Sequence, residues 1–160
     1  MSRITWYALL VFLPLASVNA EEPQKSQQHD SAKVTVVMPK SADPAVVLAA
    51  EDIARYFRTV CTATRASTVT EDKLLENARG DHLVLVGSSS ANNPHYLALL
   101  GEVLAKVKAA PRTPSPEGYS LRIVPNPFAR EHVVMLVEAQ DKMGLQYGSY
   151  DLVKRVLGVR

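Results

Sequence analysis

Asp81-His82-Leu83-Val84-Leu85-Val86-Gly87 is the stretch whose reading decides the fold. Its apolar residues run unbroken from Leu83 to Val86 instead of alternating with polar ones. A strand with one wet face alternates, whereas a strand buried on both faces does not. The stretch is therefore read as an interior strand of a sheet. Gly80 before it and Gly87 at its end are breakers suited to a strand's limits.

Working outward, Ser88 to Asn93 is a loop, and Asn93-Pro94 starts a helix. Its apolar face runs through Leu97, Leu99, Leu100, Val103, Leu104 and Val107. Upstream, Lys33 to Pro39 is rich in β-branched residues and reads as a first strand. Lys40 to Asp43 form a turn, and Asp43 can cap a helix whose first residue is Pro44. Val46, Ala49, Ala50, Ile53, Phe57 and Val60 then recur at steps of three and four, one face of an amphipathic helix. Ser67 to Thr70 suit a short edge strand, and Asp72 to Ala78 a helical turn ending near Gly80. Downstream, the Pro-rich stretch from Ala110 to Pro116 must be extended. Glu117 to Pro125 alternates through Tyr119, Leu121 and Ile123 as a strand, Asn126-Pro127 turns, and His132 to Glu138 is another strand. Asp141 to Leu157 is a closing helix, stopped by Gly158. The expected fold is an α/β (α+β) sandwich: one mixed sheet of four to five strands, part parallel and part hairpin, packed with about three helices.

Residues 1–20 are read as lying outside that fold. Arg3, an apolar run from Ile4 to Val18 and the small-residue site Val18-Asn19-Ala20 have the pattern of a secretory signal peptide. The run is shorter than the roughly 20 apolar residues that span a bilayer. An exported protein with no membrane attachment after cleavage, periplasmic or extracellular, is therefore expected. Residues 21–32 are polar and without periodicity, a linker of disordered type. The chain has 18 Lys and Arg against 16 Asp and Glu, and only Arg3 of these falls in the leader. A balance so near neutrality excludes the concentrated basic face that nucleic acid requires. Cys61 is the single cysteine, so no internal disulfide is available. Its place after an apolar helical stripe predicts a buried, inert thiol.

Candidate chemistry is sparse. Glu51 and Asp52 are adjacent, and neighbours on a helix diverge by about 100°, so they cannot flank one substrate as a carboxyl pair. Glu51 and Arg55 have the spacing of a solvated helix pair. Gly87-Ser88-Ser89-Ser90-Ala91 lacks the second glycine of a nucleophile elbow. It also lacks the lysine of a phosphate loop, so a polar capping turn is expected. His29, His82, His95 and His132 show no metal-ligand spacing. The reading assigns no catalytic residue, no metal and no cofactor. Tyr119, Tyr147 and Tyr150 could stack on sugar rings, but core or interface tyrosines with wet hydroxyls account for them better.

The closing helix carries more apolar surface than one sheet can bury. Leu145, Leu152 and Val156 fall on one line, with Tyr150, Val153 and Leu157 beside it. The arc is roughly 160° wide, with Asp151 and Arg155 marking the polar side. This predicts a sheet-facing side led by Leu145, Leu152 and Val156. It also predicts a second side, Tyr147, Tyr150 and Leu157, that serves as an interface to a partner not evident within this chain.

The last stretch, Gly144-Leu145-Gln146-Tyr147-Gly148-Ser149-Tyr150-Asp151-Leu152, continuing to Leu157-Gly158-Val159-Arg160, resembles the end of a small N-terminal α/β domain found in glycoside hydrolases. The enzymes are the α-glucuronidases, the β-N-acetylhexosaminidases and related secreted proteins. Ala49-Ala50-Glu51-Asp52-Ile53-Ala54-Arg55-Tyr56 resembles that domain's first helix, and Pro116-Glu117-Gly118-Tyr119-Ser120-Leu121-Arg122-Ile123 the strand after its second. Together the pieces span most of residues 33–160. Met143 stands where the family more often has Arg, and Glu138-Ala139-Gln140 is more polar than usual. The resemblance implies an accessory domain, with the catalytic acids in a barrel that would begin beyond Leu157-Gly158-Val159-Arg160. The partner it implies is that barrel, with self-association in its absence, and polysaccharide as a further candidate. A standalone exported module that binds carbohydrate or protein is the alternative.

Overall fold

The computed structural model describes residues 32–62, 64–74, 78–88, 93–109 and 114–158. The leader and nearly all of the polar linker lie outside the described residues, as do Ser89, Ser90, Ala91 and His29. The strands are β1 (Lys33–Met38), β2 (Arg65–Thr70), β3 (His82–Ser88), β4 (Tyr119–Pro125) and β5 (Val133–Ala139). The helices are α1 (Pro44–Val60), α2 (Pro94–Lys106) and α3 (Lys142–Leu157).

The sheet has five strands in the order β2-β1-β3-β5-β4. β2, β1, β3 and β5 run parallel to one another, and β4 is antiparallel to β5. Among the described residues the fold is thus α/β, with one mixed sheet and three α-helices. β3 lies at the centre, and Leu83 to Val86 have no solvent exposure. Alternate residues of β3 feed two separate cores. Val84 and Val86 join a core with α1 and α3, while Leu83 and Leu85 join a core with α2.

Helix limits follow local hydrogen bonding. Asp43 Oδ1 accepts from Ala45 N at 2.8 Å, Asn93 Oδ1 from Tyr96 N at 3.0 Å, and Asp141 Oδ1 from Gly144 N at 2.9 Å. Each satisfies an amide that the helix itself leaves without a partner. Gly158 ends α3 in the left-handed conformation, φ 67°.

Several side chains depart from the sequence reading. Val60 and Val156, both in the last turn of their helices, are exposed, 44% and 38%. Cys61 is half-buried rather than buried. On α2, Leu97 is half-buried and Tyr96 is the core residue, 1% exposed. Tyr96 fits because Gly87 has no side chain: a Cβ there would stand 2.7–2.9 Å from the phenol ring and its oxygen. On β4, Tyr119 and Ile123 are 38% and 59% exposed, since β4 is the sheet's edge and α3 covers it incompletely.

The largest correction concerns α3. Its second partner lies within the chain: α1 and α3 pack side by side on the same face of the sheet. Leu145, Leu152 and Val153 enter the shared core. Gly144 and Gly148 let α3 approach the sheet's edge closely. A Cβ on Gly144 would lie 2.2 Å from Gly118 O, and one on Gly148 would lie 3.1 Å from Tyr119 and Val137.

Candidate functional site

The predicted interface residues all lie on α3 but differ in exposure. Tyr147 and Tyr150 are each 50% exposed. Leu157 is half-buried and packs against the α1–α3 core. Tyr150 borders a groove of about 180 Å³ between the two helices, which Leu48, Ala45 and Ala49 line from α1 and Met143 from α3. Leu48 at 56% and Met143 at 38% exposure make its rim apolar. Leu48 was missed from the sequence, because it lies off the buried stripe of α1 and only the neighbouring helix gives it meaning.

Tyr119 belongs to a different ridge. Its hydroxyl donates to Asp151 Oδ2 at 3.0 Å, and Arg155 Nε bonds the same oxygen at 2.8 Å. Asp151 is held below the usual carboxylate range, first by Arg155 and then by Tyr119. The phenol is raised by the same hydrogen bond. This is a surface brace between β4 and α3.

On the other side of the sheet, α2 borders a cleft of about 360 Å³. Lys40 follows β1, and Glu71 and Asp72 form a 3₁₀ turn after β2, so all three stand at the carboxyl ends of parallel strands. His95 joins them from the first turn of α2. The cleft extends along α2 past Ala98 and Leu99 to Glu102 and Arg79. Lys40 Nζ lies 2.9 Å from Asp72, and Arg79 and Lys106 lie 3.5 Å and 3.2 Å from Glu102. Asp72 is lowered by hydrogen bonds from Thr70 and Lys40, and Lys40 is raised by its bond to Asp72. The sequence reading did not assemble this cleft, since its residues come from four separate segments.

A buried polar cluster lies under α2. Glu138, 1% exposed, forms an ion pair with Arg122 across the β4–β5 hairpin. Register places Gly87 and Ser120 on either side of Glu138, and the Tyr96 ring sits over Gly87. Burial first, and the charge of Glu138 second, raise the Tyr96 phenol far above its ordinary value. Nothing in the sequence marks this: an acid inside an apolar strand reads as its wet end.

Among the described residues the remaining candidates bring no catalytic constellation together. Arg55 pairs with Asp52 at 2.8 Å, three residues away, rather than with Glu51. Ser88 Oγ donates to Gln140 O at 3.2 Å. His82 and His132 do meet, ring centroids 4.6 Å apart and edge to face, because β3 and β5 start side by side. Val133 N donates to His82 Nδ1 at 3.2 Å, which fixes that nitrogen as an acceptor. Burial and then His132 lower His82, against Asp81. Among the described residues no group of three His, Cys, Asp or Glu is arranged to hold a metal ion. Among them, too, no helix is long and apolar enough to cross a membrane.

No family model matches the chain, and no curated protein does. Among solved structures 13 chains resemble it. One is a GH138 enzyme targeting pectin rhamnogalacturonan II, with a TM-score of 0.48 and 14% identity. The likeness covers 78% of this chain and 13% of that one.

Proposed function

We propose that residues 33–160 are a non-catalytic accessory domain of an exported carbohydrate-active protein, and that the α1–α3 face packs against a catalytic barrel. The observation that carries this reading is the open groove between two helices whose inner sides are already satisfied. Leu48, Met143 and Tyr150 remain exposed around it. Exposed apolar side chains clustered in one patch, with polar neighbours such as Lys142 and Gln146, mark surfaces that another body covers. The resemblance of the first helix and of the closing helix to the glycoside-hydrolase accessory domain supplies the kind of body. The same two helices, α1 and α3, carry both the resemblance and the patch.

The role is to present a covering surface, and the chemistry belongs to the partner. The purified chain from Glu21 onward is expected to hydrolyse no aryl glycoside. Turnover that vanishes in Ser88→Ala would move the reaction into this chain and end the reading. Export is read from Arg3 and the apolar run, and amino-terminal sequencing of exported material should begin at Glu21. For the docking face, the isolated chain should self-associate in sedimentation and bind a hydrophobic dye. A protein that stays monomeric at high concentration and binds no dye would leave the groove without a partner to explain.

A further inference from the structure

We infer that the cleft beside α2 is a binding site for a neutral, hydroxyl-rich ligand, a single sugar unit or the end of a chain. It uses the opposite side of the sheet from the docking face and does not depend on that reading.

Position is the first argument. In open α/β sheets, ligands bind beyond the carboxyl ends of strands where successive crossovers leave on opposite faces. β1 and β3 are adjacent and parallel. The chain leaves β1 through α1 on one face and leaves β3 through α2 on the other. Lys40, Asp72 and His95 stand at that divergence. The volume, about 360 Å³, is within the usual range for small-molecule sites.

Charge pairing is the second argument, and it selects the ligand. Across the cleft Lys40, Arg79 and Lys106 balance Glu71, Asp72 and Glu102: Lys40 pairs with Asp72, Glu102 with Arg79 and Lys106, and Glu71 accepts from Lys40 N. An anion would have to displace Asp72 or Glu102 from its cation, and a cation at Glu71 or Asp72 would meet the Lys40 ammonium beside it. A hydroxyl group does neither, because it donates to a carboxylate and accepts from an ammonium or guanidinium group at once. The paired charges thus offer fixed donors and acceptors along the cleft with little net attraction for an ion. Leu99 and Ala98 lie between the two pairs and supply an apolar wall for a sugar's C–H face.

The test is a two-dimensional amide NMR titration of the purified chain with methyl glycosides of neutral hexoses and pentoses. Inorganic phosphate and glucuronate serve as charged comparisons. At least one neutral glycoside should give saturable shifts at Lys40, Asp72, His95 and Glu102. Glu102→Gln should weaken it about fivefold or more, as expected for losing a charged hydrogen-bonding group. Tyr150→Ser, on the other face, should leave that binding unchanged. Absence of saturable shifts with every neutral glycoside overturns the proposal. So do shifts confined to the Tyr147 and Tyr150 face, or tighter binding of phosphate or glucuronate. If Glu102→Gln fails to fold, the wild-type shift map decides alone. Loss of self-association in Tyr150→Ser reports on the docking face, so the two readings fail separately.

Discussion

The two faces of the sheet solve the same problem by different means. On one, α1 and α3 pack together over Val84, Val86, Met135 and Val137, and the buried polar side chain there, Ser149, donates to Leu145 O of its own helix. On the other, α2 is the one helix over Leu83, Leu85, Val134 and Leu136, Leu74 and Phe128 pack beside it, and part of what remains is polar. Part of it is the buried Glu138–Arg122 pair and part is the cleft lined by Lys40, Asp72 and Glu102. The two-helix face closes its core and then exposes apolar side chains outside it. The one-helix face carries its charges at and beneath its surface. A second layer over the first face would meet Leu48, Met143 and Tyr150 beside Asp52 and Lys142, whereas on the second it would have to strip water from the ion pairs that line the cleft. The contrast is the ground on which docking is proposed for α1–α3 and a small polar ligand for α2.

The sharpest break in the comparison comes from Glu138. Glu138→Ala leaves the Arg122 guanidinium buried without its carboxylate, and breaking such a pair costs about 3–5 kcal/mol. Urea unfolding should show this loss, and replacing both partners with apolar residues should recover most of it. A loss under about 1 kcal/mol would mean the pair is wet, and the distinction between faces would weaken.

On the two-helix face, Leu152→Ala should cost about 2–5 kcal/mol, because Leu152 is 2% exposed where α3 meets the shared core. Val156, on the same helix line, is 38% exposed and should tolerate Ala within about 0.5 kcal/mol. Equal effects at both positions would restore the sheet-facing line drawn from periodicity.

A smaller effect comes from pH. His82 is lowered below its usual value of 6.5 by burial and His132. The folded state then binds fewer protons than the unfolded one as pH falls. The stability due to neutral His82 is present above about 6.5 and is lost progressively below it, before the carboxylates titrate. The direction is also fixed by Val133 N, which donates to His82 Nδ1 and loses its acceptor when that nitrogen is protonated. His82→Asn should flatten the slope of stability against pH between about 6.5 and 5. An unchanged slope would assign the titration elsewhere.

Much of the fold was legible because its signals are local. The β3 run, the Asp43 cap, the Asn93-Pro94 helix start and Gly158 each lie within a few residues of what they determine. What was not legible depends on pairs far apart in the chain. α1 as the second partner of α3 brings Ala49 and Ile53 together with Ser149 and Val153. Periodicity detected the excess apolar width of α3 but could not say that part of it was used internally. The cleft is harder still, because Lys40, Asp72, Arg79 and Glu102 are ordinary surface residues in sequence. Only strand order makes them neighbours.

The smallest expected effect on stability carries the largest consequence for docking. Tyr150 and Leu48 are 50% and 56% exposed on adjacent helices, and both line the groove. Tyr150→Ser combined with Leu48→Lys removes apolar surface and adds one charge, without touching Leu145, Leu152 or Val153 in the core beneath. Exposed substitutions of this kind usually shift stability by less than about 0.5 kcal/mol. Association driven by the patch should nevertheless fall, since burial supplies about 25 cal/mol per Å² of apolar area and a lysine resists being covered. Leu157→Lys is the useful contrast. Leu157 is half-buried against the shared core, so the same charge there should destabilise the fold as well as the contact. If the Tyr150/Leu48 variant unfolds like the Leu157 variant, the groove is part of the core and not a surface. If it stays folded and loses self-association and dye binding, the two-helix face is the one built to be covered.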